Sequence, residues 1–318
     1  MPTTNQIQNS KHIVLGASRG SGLAVLKELL NQGYNAIGVS SSGELPKGIS
    51  PSNFATADAT NLSELLKVCS GASHIYNNLN VEYSKWVEVL PIFTNNVIEV
   101  ATQTGAKVIY LDNLYCYGPV DEPMVESMPN NATDTKGKLR GKLTQQYLAA
   151  HNEGKIKVVI SRSSDFFGPD VLSSVSDRFF PNILDGKSVQ NIGDPTKAHS
   201  FTYINDLAKA IILLANDEST YGQIWHIPAN SSSVKELAEL TSTMSGKSYK
   251  ISSLNKIMVT FLSLFVPILK EIRPLFYQYN RDYIIDSIKF QKHFPQFQKT
   301  PLKQALTETL EFYKSETK

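Results

Sequence analysis

Two groups of residues in this chain have types and spacings suited to chemistry. The first is Gly16-x-x-x-Gly20-x-Gly22, which follows the apolar run His12 to Leu15 and leads into a helical pattern carrying Leu23, Val25, Leu26, Leu29 and Leu30. A strand that ends in glycines and passes straight into a helix suits a dinucleotide pyrophosphate. The glycines let the backbone approach the phosphates, and the helix N-terminus offers unpaired N–H groups and a positive dipole end. Gly16, Ser18, Arg19, Gly20, Ser21 and Gly22 are therefore candidate cofactor contacts. The second group is Lys136 and Arg140, two cations four residues apart, together with the polar and aromatic set Asn113, Tyr115 and Tyr117.

The strand after the glycine turn bears on which dinucleotide is bound. Asn35 to Ser40 runs into Ser41-Ser42, and no acid stands at the strand end where an NAD site holds the ribose 2′-hydroxyl. Arg19 lies inside the glycine turn, where a guanidinium can pair with a 2′-phosphate. NADP(H) is expected over NAD(H), with Ser40 at the adenosine end. The alternative is that Arg19 is solvated and the preference loose.

The elements that must position these residues follow from periodicity. Apolar runs at His12–Leu15, Ala36–Ser40, His74–Asn77, Val108–Leu111 and Val158–Ser161 alternate with helix-length segments at Glu64–Val68, Val87–Thr102 and Leu143–Asn152. That alternation predicts an α/β fold, a Rossmann-type doubly wound parallel sheet. Gly16, Asp58, Asn77 and Asn113 would then open on one sheet edge. Past about residue 170 the alternation weakens, which predicts a dinucleotide domain over 1–170 and a smaller substrate lobe, mainly 171–318, with a strand near Gln223–Ile227 able to return to the main sheet. Ser233-x-x-Glu236 has capping-box spacing.

Composition narrows the function classes. With 31 Lys plus Arg against 29 Asp plus Glu, there is no overall charge excess to attract nucleic acid or an anionic membrane. Two isolated cysteines and six histidines without ligand spacing argue against a disulfide framework or a metal, and a reducing cytoplasm fits. The opening MPTTNQIQNS is polar and reads as a frayed tail, neither signal peptide nor anchor. Ile257 to Leu269, IMVTFLSLFVPIL, falls short of the ~20 apolar residues of a membrane span and contains Pro267. It reads as a buried or groove-lining helix, with interfacial contact with lipid as the alternative.

Several motifs together resemble the extended short-chain dehydrogenase/reductase family of the NAD-dependent epimerase/dehydratase type, over nearly the whole chain. Asp58-Ala59 is similar to the family's adenine-contacting acidic site, and Tyr117-Gly118-Pro119 to its V-Y-G element. Arg162-Ser163-Ser164-Asp165-Phe166-Phe167-Gly168-Pro169 resembles R-x-x-N-x-Y-G-P, which lies near nicotinamide and substrate in the family and adds Arg162 and Ser164 to the cofactor candidates. Phe201-Thr202-Tyr203-Ile204-Asn205-Asp206 resembles F-x-Y-V-x-D. The resemblance implies an oxidoreductase or epimerase acting on a small carbonyl- or hydroxyl-bearing metabolite, and a homodimer built on the Val87–Thr102 and Leu143–Asn152 helices.

The chain departs from the family at the proton-transfer residues. Asn113 stands where the Ser is expected, and no Tyr-x-x-x-Lys occurs between Gly118 and Tyr147. Lys136 falls at the Tyr position and Arg140 at the Lys position, a pattern that resembles the atypical subgroups. Loss of the Tyr removes a proton donor worth roughly 10²–10⁴ in rate. Lys136, beside a fixed Arg140 on one helix face, is one replacement, and Tyr115 and Tyr117 are others. Solvated helix-start charges, or an anchor for an anionic substrate group, are the bland readings. Asn77 and Asn78 either line the nicotinamide pocket or serve their own turn, and Asp165 either orients a substrate hydroxyl or bridges loops. A cofactor-binding sensor or scaffold in which no hydride moves is the competing function.

Overall fold

The computed structural model describes residues 8–171 and 179–316. The polar opening residues expected to fray lie mostly outside the described residues. The chain divides into two compact units, the first formed by Met1–Asn113, Leu139–Arg162 and Leu207–Ile227, the second by Leu114–Lys138, Ser163–Asp206 and Pro228–Lys318.

The first unit is a seven-stranded sheet of β1 (Lys11–Leu15), β2 (Ala36–Ser40), β3 (Phe54–Thr56), β4 (Ala72–Asn77), β5 (Lys107–Asp112), β6 (Val158–Arg162) and β10 (Ile224–His226). Its order is β10-β6-β5-β4-β1-β2-β3, parallel throughout. The order reverses between β1 and β4, the switch point at which open α/β sheets bind ligands beyond their carboxyl ends. Helices α1 (Gly20–Asn31), α2 (Leu62–Cys69) and α3 (Trp86–Thr104) follow β1, β3 and β4. Helices α4 (Thr135–Asn152) and α6 (Ile204–Asn216) contribute most of their length to the same unit. Strands β1, β5 and β6 are buried along nearly their whole length, as a sheet covered on both faces requires. Each Val or Ile so buried contributes roughly 1.5–3 kcal/mol.

The sheet interior also holds stacked imidazoles. The His12 and His74 rings lie 4.7 Å apart and nearly parallel, with the Tyr34 ring edge-on to His12. Burial, reinforced by His12, pushes His74 down to about 3, so His74 packs in the neutral form.

The second unit carries a sheet of order β11-β9-β7 and a pair β12-β8, from β7 (Asp165–Phe167), β8 (Val189–Ile192), β9 (Ala198–Tyr203), β11 (Asn230–Ser233) and β12 (Ile251–Leu254). Its helices are α5 (Phe179–Leu184), α7 (Val234–Ser245), α8 (Lys256–Leu262), α9 (Pro267–Ile272), α10 (Ile288–His293) and α11 (Leu302–Glu316). One core forms around Phe167, Phe180, Phe201, Leu237 and Leu306. Ser233 and Glu236 close a capping box on α7.

The segment Ile257–Leu269, expected as one buried or groove-lining helix, is neither a single helix nor buried. Pro267 starts α9 rather than continuing α8, so the apolar residues spread over two short helices and the turn between them. Only Val259, Ser263 and Leu269 are buried, and no single stripe faces a core. Among the described residues no helix is long and apolar enough to cross a membrane.

Candidate functional site

The glycine turn is pinned to both neighbouring strands. Gly16 and Ala17 donate their N–H groups to Val39 O on β2, at 2.9 and 3.1 Å, and Asn78 N donates to Leu15 O at 3.2 Å. Gly16 has φ +76°, and a Cβ there would lie 2.7 Å from Asn78 O, too close to be tolerated. A Cβ on Gly22 would lie 2.2 Å from Gly16 O, so α1 sits directly against the turn. Gly20, at φ +59°, has nothing within 4 Å of a Cβ and borders open space. Arg19 caps α1 in an extended conformation without a side-chain hydrogen bond, and the first turn of α1 carries no acid. Its leading N–H groups therefore keep their affinity for an anion. Arg19 is exposed, and Ser18 and Ser21 are half-buried.

Other strand exits lie along the same edge. Ser40 is buried and its hydroxyl meets that of Ser42 at 3.0 Å, while Ser41 and Ser42 are exposed. Asp58 is exposed and Ala59 buried; Asp58 Oδ1 accepts from Thr60 N and Oγ1, both at 2.8 Å, and Ala59 O accepts from Asn96. Asn77 is committed internally, donating to the Tyr147 hydroxyl at 2.8 Å and accepting from Leu79 N at 3.1 Å. Asn78 donates to Tyr76 O, but its Oδ1 is buried with no partner, beside the glycine turn that its backbone touches. A buried acceptor without a donor is costly unless something outside the chain supplies one.

Where β5 and β6 end, a charged cluster fills the interior. Asp112 accepts from Arg162 Nε at 3.0 Å and from the Thr144 hydroxyl at 2.8 Å, and lies 3.8 Å from Arg140. The Arg140 guanidinium donates to the Tyr110 hydroxyl at 3.0 Å and stands 4.3 Å from the centre of the Trp86 ring. Burial pushes the Tyr110 phenol up to about 12, with Arg140 opposing it. Arg140, Arg162 and Asp112 are each at most 5 % exposed, so two guanidiniums share one carboxylate in the dry interior. Asn113 follows directly on Asp112.

In the second unit, Lys136 is buried at the start of α4 and pairs with Glu271 of α9 at 2.5 Å. The two cations expected to act on one another thus answer to different carboxylates, Asp112 for Arg140 and Glu271 for Lys136. Gly137 lets α4 start against the turn that holds Tyr115: a Cβ there would lie 2.4 Å from Tyr115 O. Asp134 Oδ1 accepts from Gly137 N at 2.9 Å while its Oδ2 is buried without a partner. Tyr117 is fully buried with Leu114, Cys116, Met124, Tyr283 and Ile285, and Tyr115 is 9 % exposed. Ser164 meets the Thr202 hydroxyl at 2.8 Å, and Asp165 lies 3.0 Å from His199. Tyr203 donates to Glu308, and burial raises its phenol, as does that carboxylate.

Asp112, Asp134, Gly137 and Glu271 were missed by sequence reasoning. A carboxylate ending a buried apolar strand needs a buried cation, which was the available signal for Asp112; nothing local announces Glu271.

The family model described as NAD dependent epimerase/dehydratase family matches residues 12–227. Solved structures with the same fold include a dTDP-glucose 4,6-dehydratase from Bacillus anthracis in complex with NAD, with TM-score 0.80, 18% identity and coverage of 96% of this chain and 97% of that one. A UDP-glucose 4-epimerase from Thermotoga maritima with UDP-glucose gives TM-score 0.79, 17% identity and coverage of 97% and 100%. A UDP-glucuronic acid 4-epimerase from Bacillus cereus, in complex with UDP-glucuronic acid and NAD, gives 0.76, 18% identity and coverage of 96% and 99%. No curated protein matches the chain.

Proposed function

The chain belongs to the NAD dependent epimerase/dehydratase family, and on that premise we propose that it binds a nicotinamide dinucleotide at the glycine turn and acts on a hydroxyl- or carbonyl-bearing metabolite. The single observation that carries the binding half is the glycine turn itself. Gly16 and Gly22 are hemmed in by backbone, Gly20 faces open space, and Asn78 keeps a buried acceptor without a donor beside them. Residues of these kinds fit a pyrophosphate and its ribose.

Gly16, Ser18, Arg19, Gly20, Ser21 and Gly22 would hold the phosphates, with Ser40, Asp58 and Ala59 at the adenosine end and Asn77, Asn78, Arg162 and Ser164 toward the nicotinamide. When bound, the cofactor supplies a hydride acceptor or donor. The exposed Arg19 and the absence of a carboxylate at the end of β2 support NADP(H) over NAD(H). The part of the chain before residue 170 takes the cofactor and the part after it mainly the substrate. The sugar nucleotides in the related structures support that substrate class.

Within this reading Lys136 holds the proton that the missing tyrosine would carry, and Glu271 fixes its ammonium in place. Asn113, Tyr115 and Tyr117 are the other residues assigned to the reacting end, with Arg140 acting through Tyr110. A second reading, a cofactor-binding protein that transfers no hydride, is favoured by one observation. Arg140 and Tyr117 are enclosed by the protein's own side chains, and Lys136 is ion-paired.

Fluorescence titration with NADPH and NADH tests the binding half. The full chain is expected to bind NADPH more tightly, and Gly16→Val to lose both cofactors. Unaltered binding in Gly16→Val would overturn the assignment of the turn. Turnover of neither cofactor across a panel of sugar nucleotides, aldehydes and ketones, in protein that binds NADPH, would select the second reading.

A further inference from the structure

The large apolar side chains that the second unit leaves exposed are concentrated in one place. Ile257 is 80% exposed, Phe261 62%, Leu264 71%, Phe265 72% and Ile268 51%, all within the α8–α9 hairpin. The rings of Phe261 and Phe265 meet each other at 5.7 Å rather than a core. Val259, Ser263 and Leu269 anchor the hairpin from its inner side. Apolar exposure of this density on a folded surface marks an interaction site.

Charge points to the partner. Lys256, Lys270 and Arg273 are exposed and bracket the apolar residues in sequence, and the only acid between Lys256 and Arg273 is Glu271, which is held by Lys136. A second copy meeting this face about a two-fold axis would set the same cations against one another, with no acid of the segment but the ion-paired Glu271 to receive them. An anionic lipid surface takes both parts at once, the apolar tip among the acyl chains and the cations at the headgroups.

We propose that the α8–α9 hairpin is an interfacial membrane-docking element selective for anionic phospholipid. It lies on the membrane rather than spanning it, because α8 and α9 have only seven and six residues. The proposal is independent of the cofactor reading, although α9 also carries Glu271, the partner of Lys136.

Cosedimentation of the full chain with vesicles of phosphatidylcholine alone, and of phosphatidylcholine mixed with phosphatidylserine, tests it. Binding is expected to the mixed vesicles and to weaken as salt is raised. The double variant Leu264→Ser/Phe265→Ser is expected to lower partitioning about tenfold or more, and Lys270→Gln/Arg273→Gln to remove most of the preference for phosphatidylserine. These side chains are exposed, so thermal melting of both variants should match the parent and rule out misfolding. Absence of binding to either vesicle at low salt would overturn the proposal. So would binding unaffected by the variants, or a concentration-dependent dimer, abolished by Leu264→Ser/Phe265→Ser, in protein that ignores vesicles.

Discussion

The exits of β1 and β5 stand on the same edge of one parallel sheet and use their side chains in opposite ways. At the β1 exit the work falls to backbone: Gly16, Gly20 and Gly22 shape a turn, α1 begins without a side-chain cap, and Arg19 extends into solvent. At the β5 exit Asp112 is enclosed by Arg162, Thr144 and Arg140, and Arg140 in turn by Tyr110 and Trp86. One exit is shaped to receive something; the other is already occupied by the protein. The lesson is that position along a sheet edge says where a ligand can lie, while the state of the side chains there says which part of the edge is free to meet it.

Substitutions at the two exits should therefore separate stability from binding. The largest effect is expected from Asp112→Ala, which strands two buried guanidiniums and should lower stability by about 3–5 kcal/mol. Denaturant unfolding measures this, and Thr144→Val provides a milder version, about 1 kcal/mol, should Asp112→Ala fail to fold. Whatever fraction folds should still bind NADPH through the glycine turn, weakened only as far as Arg162 loses its partner; a loss of binding as complete as in Gly16→Val, with normal stability, would break the comparison. Next comes Lys136→Ala, expected to reduce turnover by roughly 10²-fold with NADPH affinity nearly unchanged. A rise in KM alone would make Lys136 a substrate anchor, and collapse in Tyr115→Phe instead would move the proton to that tyrosine. The smallest effect is Arg19→Ala: about a tenfold loss of preference for NADPH over NADH, with no change in melting temperature because the side chain is exposed. Equal affinities in the parent protein would remove the argument from Arg19.

Legibility in the sequence followed locality. The glycine turn, the strands of the first unit and the capping box at Ser233 are written in neighbouring residues, and the structure places β1, β2, β4, β5 and β6 within two residues of the apolar runs. Helix α4 starts at Thr135, well before the apolar pattern at Leu143, because the stripe its first turns bury, Lys136, Gly137, Arg140 and Gly141, is not apolar, and Asp134 accepts from Gly137 N. Lys136 and Arg140 read as a pair because a helix sets residues four apart side by side. Their true partners are non-local: Glu271 is 135 positions away from Lys136, and Asp112 belongs to a strand. Hydropathy read Ile257–Leu269 as a buried or groove-lining helix, with lipid contact as the alternative, whereas Pro267 splits it into two short helices and leaves most of its apolar side chains exposed.

The contact between Gly16 and Asn78 separates what can drift from what cannot. No side chain fits at Gly16 or Gly22 because backbone stands in the way, and backbone is not replaced by mutation. Arg19 in the turn, and Ser41 and Ser42 just past β2, are exposed. Under the proposed assignment of the turn, exchanging the adenosine end of the cofactor calls only for changes at exposed side chains while the pyrophosphate seat stays constant, at little loss of stability.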